Sequence, residues 1–362
     1  MRILDRYILK SVITIFVACL FTFLLLYVII DIFAHLEDII KNHASIMLLA
    51  RYYLTYLPII FVQVTPIACL LAILYTFGSL NRNNEIIAMR ASGLSILEIS
   101  KTVIILGIIL TALVFMVSDR FVPEALSSNQ KIQQQVEGGS QKSEEVINNL
   151  SMYGLKNRLF FINRFSPATN TMEGITILEH DERQNLTQKI VANRAVYKDG
   201  LWRFYQTVSY GFDENGQIRQ NPQYMQEEIL PIPESPRDFL SQRRRPEYMS
   251  ISQLQGYLWR LSKSGAVGII KNLKVDLYQR YTAPFTTIMI ILLGIPFALR
   301  MKKRATGLSS IGLSIMVGFL YYVLNAISVA LGKAGILFPF LAASLSHIVA
   351  LTVGIYLIAN LP

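Results

Sequence analysis

The sequence predicts a helical membrane protein with three spans on either side of an inserted all-β domain. Three observations carry that fold class. The 362-residue chain is 52% hydrophobic and only 16% charged, with a mean hydropathy of +0.41, whereas soluble domains hold about a quarter charged residues. Six windows contain no Asp, Glu, Lys or Arg: residues 11–30, 54–78, 102–118, 282–299, 305–332 and 334–362. Between the third and the fourth, over residues 119–281, helical patterning gives way to short strand-like runs.

Each window supplies roughly 17 or more apolar residues, which at about 1.5 Å of helical rise crosses most or all of a hydrocarbon core about 30 Å thick. Buried helices of a large soluble core rarely produce six such runs. Arg2, Arg6 and Lys10 precede the first window. Its apolar stretch is longer than the core of a secretory leader, and no small-x-small cleavage pattern follows before Asp31, so it reads as an uncleaved span. Cys19 and Cys69 fall inside spans and imply neither a disulfide framework nor a metal site.

The cations assign sides. Arg2, Arg6, Lys10, Arg82, Arg90, Lys101, Arg300, Lys302, Lys303 and Arg304 fall on one side, against Lys41, Arg51 and Lys333 on the other. That asymmetry predicts both termini in the cytoplasm and the insert outside. The insert holds 21 basic and 18 acidic residues, so of the net +10 it carries +3 and the remaining segments +7. The basic balance therefore reads as a topology signal, and no nucleic-acid partner is expected.

Within the insert, β-rich runs at 159–165, 174–178, 189–193, 201–210 and 224–229 are separated by turn signals, notably Lys198-Asp199-Gly200 and Glu214-Asn215-Gly216. Hairpins in series suggest a sandwich, a jelly roll or an open barrel. The polar stretch 123–141 reads as a helical extension of span three ending at Gly138-Gly139. After Arg243-Arg244-Arg245-Pro246, the sequence Ser250-Ile251-Ser252-Gln253 opens a helical stretch through Tyr281. The predicted organisation is helices 1–3 in residues 1–118, a β-domain with helical stalks in 119–281, and helices 4–6 in 282–362.

Catalytic equipment is thin. His35, His43, His180 and His347 are scattered, and the sequence has no His-Glu-x-x-His, no Gly-x-Ser-x-Gly and no phosphate-cradling Gly-rich loop ending in Lys-Ser or Lys-Thr. A non-catalytic chain is expected, with any ATP bound by another subunit. His347, at membrane depth, either hydrogen-bonds a neighbouring helix or serves function directly. Asp31, His35, Glu37 and Asp38 follow span one, as a solvated helix end or as a metal or substrate contact.

Residues 80–100 read LNRNNEIIAMRASGLSILEIS. Asn83 or Asn84 is placed to cap a helix, Glu85 to sit in its first turn, and Gly93 to end it. Ile86, Ile87, Met89 and Ala91 give this short helix apolar surface, while Arg82, Glu85 and Arg90 give it charge. Such a helix lies on a lipid surface or inserts in a groove of a soluble partner.

Several segments together carry a family resemblance. They are Leu4-Asp5-Arg6-Tyr7-Ile8, the run Asn84-Glu85-Ile86-Ile87-Ala88-Met89-Arg90-Ala91-Ser92-Gly93, Ala195-Val196-Tyr197 with Gly200-Leu201-Trp202, Gly294-Ile295-Pro296-Phe297-Ala298-Leu299, and Gly318-Phe319-Leu320-Tyr321-Tyr322-Val323-Leu324. Over essentially the whole chain, in this order, the sequence resembles the LptF/LptG (YjgP/YjgQ) permeases of the lipopolysaccharide export ABC transporter, and its start leans toward the LptG side. The resemblance implies a heterodimer of paralogous permeases driven by a cytoplasmic ABC ATPase dimer that uses ATP and Mg, with no cofactor bound by this chain. It implies extraction of lipopolysaccharide from the inner membrane and its transfer through a β-jellyroll to a periplasmic bridge protein. By position, residues 84–93 become the coupling helix, with Arg82, Glu85, Ile86, Met89, Arg90, Ala91 and Gly93 as contacts.

In that family spans one and five line the cavity and its lateral gates. Here span five carries Ser310, Ser314 and Gly318 at i, i+4 spacing, with Asn325 and Ser328 as a polar face. This strip serves either packing within the chain or a paralogue interface. Where some members carry head-group lysines after span one, this sequence has Asp31, Glu37 and Asp38, which leaves Lys41 and Arg51 as the cations for phosphate or carboxylate contact. A non-transporting scaffold or sensor, and a membrane-bound lipid-modifying enzyme, are the alternatives; the latter needs an acid, base or nucleophile that the loops do not offer.

Overall fold

The protein is described by a computed structural model covering residues 3–41, 45–136, 146–155, 157–181, 185–213, 217–219, 221–241, 246–262, 267–300 and 307–360. The expected helix stop at Gly138-Gly139, the Glu214-Asn215-Gly216 turn, the Arg243-Arg244-Arg245 run, His43, and the cations Arg2, Lys302, Lys303 and Arg304 lie outside these residues.

The first half is helical: α1 (Ile3–Ala34), short α2 (Leu36–Lys41), α3 (Ile46–Arg82), the elbow helix α4 (Glu85–Ala91) and α5 (Ile96–Met116). A π-helical turn, Val117–Phe121, joins α5 to α6 (Val122–Val136), so span three does continue as a long helix. Six strands follow: β1 (Ile147–Tyr153), β2 (Arg158–Ser166), β3 (Thr171–His180), β4 (Leu186–Lys198), β5 (Leu201–Gly211) and β6 (Gln223–Leu230). Then come α7 (Pro236–Ser241), α8 (Ile251–Leu261), α9 (Val267–Thr282), α10 (Thr286–Arg300), α11 (Gly307–Lys333) and α12 (Pro339–Ala359). Among the described residues six helical stretches are long and apolar enough to cross a membrane: Ile3–Ala34, Ile46–Arg82, Ile96–Gln130, Ile270–Leu299, Ile315–Lys333 and Pro339–Ala359. The predicted fold class holds, with the all-β insertion between the third and fourth spans.

Internal packing divides the chain into two units, Met1–Gly139 with Lys274–Pro362, and Ser140–Leu273. In the first, α3 is the central helix and packs against α1, α6, α10 and α11. Its Leu70, Ile73, Leu74 and Phe77 are essentially inaccessible. Between apolar helices in lipid, attraction comes from close packing, so small residues sit where axes approach. A Cβ added at Gly107 of α5 would lie 2.7 Å from Ile291 of α10, and one at Gly294 of α10 would lie 3.0 Å from Leu70 of α3. Helix starts follow local chemistry. Ser95 and Glu98 form a reciprocal capping box at the start of α5, and Ser45 accepts the Leu48 N–H to open α3.

The second unit is one six-stranded antiparallel sheet in the order β1-β2-β3-β4-β5-β6, a meander among the described strands. The Asp-Gly signal is used as read: β4 and β5 close at Lys198↔Leu201 across Asp199 (φ 55°) and Gly200 (φ 83°), the paired positive φ of a tight hairpin turn. Alternate residues face one core. Phe160, Phe165, Trp202 and Phe204 are almost fully buried, and Phe239 of α7 sits among them with ring centroids 5.5 Å from Phe160, 5.9 Å from Phe165 and 5.7 Å from Trp202. At the start of α8, Ser250 and Gln253 exchange the predicted reciprocal capping bonds at 3.1 and 3.3 Å.

Candidate functional site

The elbow between spans two and three is built by its two ends. Asn83 closes α3, donating its N–H to the Ser79 carbonyl at 3.0 Å, and Asn84 turns the chain through the left-handed region at φ 60° with no side-chain capping bond. The expectation that an asparagine side chain caps α4 is thus corrected: Asn84 supplies backbone reversal, a conformation asparagine tolerates better than most residues. Gly93 ends α4 at φ 90°. The Gly93 N–H donates to Arg90 O at 2.9 Å and the Leu94 N–H to Met89 O at 3.2 Å, the double closure of a Schellman motif.

The seven-residue helix presents two faces. Ile86 and Met89, one turn apart, are buried in the core of the helical unit together with Ile8, Val12, Ile99 and Val103. They were expected on the docking surface; their i, i+3 spacing instead anchors α4 to its own bundle. Arg82, Ile87, Ala88, Arg90, Ala91 and Gly93 are exposed, and Ile87 presents nearly half its surface.

Glu85 is engaged within the chain. Its Oε2 accepts from Tyr7 Oη of α1 at 3.1 Å, and its Oε1 accepts from Asn83 Nδ2 at 3.3 Å. Nearby, Thr102 of α5 donates to Asp5 of α1 at 3.2 Å. Asn81 donates to the Leu299 carbonyl in the last turn of α10 at 3.2 Å, satisfying a carbonyl that helix geometry leaves open. Asp5 and Tyr7 belong to the Leu4–Ile8 run that carries the resemblance, but their partners, 97 and 78 residues away, are not legible in the sequence.

At the other end of α1, Asp31 of its last turn and His35 just beyond it lie together, and tyrosines of α3 complete the cluster. Tyr53 donates to Asp31 at 3.0 Å, His35 Nδ1 lies 3.0 Å from the Asp31 carbonyl and 3.6 Å from its carboxylate, and the Tyr27 and Tyr56 hydroxyls are 3.3 Å apart. Tyr52 stacks on Tyr56 at 5.8 Å. Among the described residues no three His, Cys, Asp or Glu side chains gather as a metal site. Glu37, Lys41 and Arg51 are exposed.

Gly318, Asn325 and Ser328 of span five meet other helices of the chain. Ser310 and Ser314 fall on α11, and Gly318 is buried, with Leu70 of α3 3.7 Å from where a Cβ would stand. Asn325 accepts from Ser346 of α12 at 3.0 Å, and Ser328 donates to the Ala342 carbonyl at 2.6 Å. His347 joins the same seam, with Nε2 3.4 Å from Thr286 Oγ1 and Nδ1 3.3 Å from Ser346 Oγ, while Thr286 lies 3.0 Å from Tyr321 Oη. The polar face of α11 at Asn325 and Ser328 therefore meets α12, and His347 of α12 hydrogen-bonds Thr286 at the start of α10 while its ring packs edge-on to Tyr321 of α11.

In the β unit, Glu234 is 5% exposed. Its Oε1 accepts the Leu155 N–H, and its buried Oε2 has no hydrogen-bond partner among the described residues. Burial holds this carboxyl above the usual carboxylate range, against the opposing pull of backbone N–H groups and Arg158.

Six membrane-crossing helices, a capped elbow after the second and a β-sheet unit after the third define a multi-pass membrane protein whose distinctive features are the exposed face of the elbow helix and its polar helix seams. The family described as "Lipopolysaccharide export system permease LptF/LptG" matches residues 6–360, and the chain belongs to it. One relative, the lipopolysaccharide export system permease protein LptG of Haemophilus influenzae, is 24% identical over 338 residues, which cover 92% of this chain and 91% of that protein. Membership makes the chain a multi-pass inner-membrane protein of lipopolysaccharide export, as the resemblance implied.

Proposed function

We propose that this chain is one of two paralogous permease subunits, on the LptG side of the pair, in an exporter powered by a separate ATPase. It draws lipopolysaccharide from the inner membrane and hands it through its β unit to a periplasmic bridge. Transfer of an amphiphile with several acyl chains out of a bilayer opposes about 0.8 kcal/mol per buried methylene. An energy source is therefore required, and the sequence carries no phosphate-cradling loop of its own. ATP and Mg belong to the partner, and this subunit is non-catalytic and carries no cofactor.

The observation that carries the reading is the elbow. A short helix is locked at one end by an asparagine reversal and at the other by a Schellman closure. It is anchored by Ile86 and Met89 and exposes Ile87, Arg90 and Ala91. Such a projection suits a groove on a soluble partner, and the lysine and arginine distribution puts it on the cytoplasmic side. Lys41 and Arg51, exposed and on the opposite side by that rule, are assigned to anionic head-group contact.

Purification at native expression tests this. The ATPase and the paralogue should co-purify with the wild-type chain, and Ile87→Asp with Arg90→Glu should lower the recovered ATPase about ten-fold or more, the scale of a lost interface anchor. Full ATPase recovery with the double variant, or no ATPase with the wild type, would remove the assignment.

A further inference from the structure

The six-stranded sheet is creased along one line. Between β2 and β3 the ladder pairs Ile162↔Ile175 and Arg164↔Glu173 and skips Asn163 with Gly174. The same row is skipped between Gly174 and Asn193, between Asn193 and Gln206, and between Gln206 and Gln226. Gly174 (φ 64°) and Gln206 (φ 54°) stand on it with left-handed backbone. The inward-facing phase also slips there: Ile162 and Phe165 are buried in β2, Ala192 and Ala195 in β4, and Phe204 and Thr207 in β5, where strict alternation would separate them by one residue and not two. Such a slip bends a strand as a bulge does. Repeated in register, it folds the sheet into two leaves, one carrying Phe160 and Ile162, the other Phe165, Trp202 and Phe204.

The segment after β6 ties the far ends of these leaves together. From the first leaf, Arg158 donates to the Pro231 carbonyl at 3.2 Å and the Leu155 N–H donates to Glu234 Oε1. From the second, Trp202 Nε1 donates to the Glu234 carbonyl at 2.7 Å. Phe239 then lies between the leaves, edge-on to Phe160 of one and to Trp202 of the other. We propose that residues 231–241 are a releasable clasp on the β unit, and that Phe239 fills a hydrocarbon subsite, walled by Phe160, Phe165 and Trp202, which an acyl chain takes over when the clasp lifts. The inference rests on the transport reading above and says how the β unit admits the lipid.

Three features make the segment releasable. Pro231, Pro233 and Pro236 carry no N–H, so it cannot offer a strand's run of donors and is held by separate hydrogen bonds instead of a ladder. Its central anchor is incomplete. Gly154 leaves room for the Glu234 carboxylate, since a Cβ there would stand 2.5 Å from Oε1, yet the buried Oε2 has no hydrogen-bond partner among the described residues, and lifting the clasp returns it to water. Phe239 rides on its own short helix, α7, whose first turn is tied by Asp238 accepting from the Ser235 N–H and Oγ at 2.8 and 2.7 Å. The ring therefore leaves with the helix, and an apolar cavity of the kind it vacates takes up apolar molecules in preference to water.

Trp202 reports the clasp, because it and Trp259 are the two tryptophans. The full chain carrying Trp259→Phe is placed in phospholipid vesicles and exposed to dibromostearate, whose bromines quench a neighbouring indole. Quenching of Trp202 should be weak with the clasp intact. Asp238→Ala leaves every aromatic ring in place and should raise quenching roughly two- to thirty-fold, the range over which loss of a helix cap shifts a local equilibrium. Phe239→Ala should raise it further, and dibromostearate should then raise the melting temperature of that variant and not of its parent, as a ligand of the folded state does. Equal quenching in the parent and in Asp238→Ala, or no quenching in any variant, Phe239→Ala included, would overturn the clasp. The transport reading fails separately, if the assembled complex hydrolyses ATP and releases no labelled lipopolysaccharide while the quenching pattern holds.

Discussion

Glu234 is a carboxylate placed where a charge is disfavoured, and its effect on stability follows from the direction of its shift. Its folded-state titration lies above the ordinary carboxylate range because burial penalises the ionised form. The sign is then fixed: stability is highest where Glu234 is protonated in both states, declines as pH rises from the unfolded value toward the folded one, and stays lower above it. Glu234→Gln should flatten that decline and raise the melting temperature of the chain at neutral pH, read as thermal melts across pH 4 to about 8. An unchanged pH profile would mean the buried carboxylate is not the titrating group. Nothing in the run Pro231-Ile232-Pro233-Glu234-Ser235-Pro236 announces burial, since it reads as a linker. The residue is covered because Trp202 donates to its carbonyl at 2.7 Å and Phe239 follows it into the core. His347 is the contrasting case, since an ionisable residue at membrane depth narrows the choices to a helix neighbour or a functional role.

At the scale of elements, local rules were readable where their partners are near in sequence. The Ser250/Gln253 box, the Asp199-Gly200 hairpin and the Gly93 stop all close within a few residues. The facing of α4 was not readable, because which of its apolar residues turn inward depends on Ile8 and Ile99 from other helices. Gly93→Ala places a side chain at φ 90° and should cost about 1–2 kcal/mol locally, seen as faster amide exchange over α4 and less ATPase recovered. The hairpin of α11 and α12 gives a second prediction. A Cβ at Gly332 would run into that of Ala342 and lie 3.3 Å from Val275, beside the Lys333–Asp276 ion pair at 2.7 Å. Gly332→Ala should destabilise the chain by about 1–3 kcal/mol through overpacking, and adding Ala342→Gly should recover most of the lost melting temperature. Failure of that rescue would mean the two helices are not held at this distance.

Across the whole molecule, charge-free windows located every span because a bilayer accepts nothing else over such lengths. The sheet order stayed hidden because strand pairing joins residues far apart, and β-rich runs alone are compatible with sandwich, jelly roll or meander. Of the α11 residues read as either internal packing or a paralogue interface, Gly318 and Asn325 meet α3 and α12 within the chain. What the chain leaves open is the second half of α1 and one face of α11, where Ile315, Phe319, Leu320 and Ile327 each expose over half their surface. In the proposed export cycle the lipid enters beside the exposed face of α1 and passes next to the β unit. Photocrosslinking tests this most directly, with a photoreactive residue at Phe21 of α1 or at single positions across the β unit, in vesicles holding labelled lipopolysaccharide. Labelling is predicted at both places, with the β unit labelled only after ATP is added; labelling at neither, or labelling of the β unit that ignores ATP, would contradict the account.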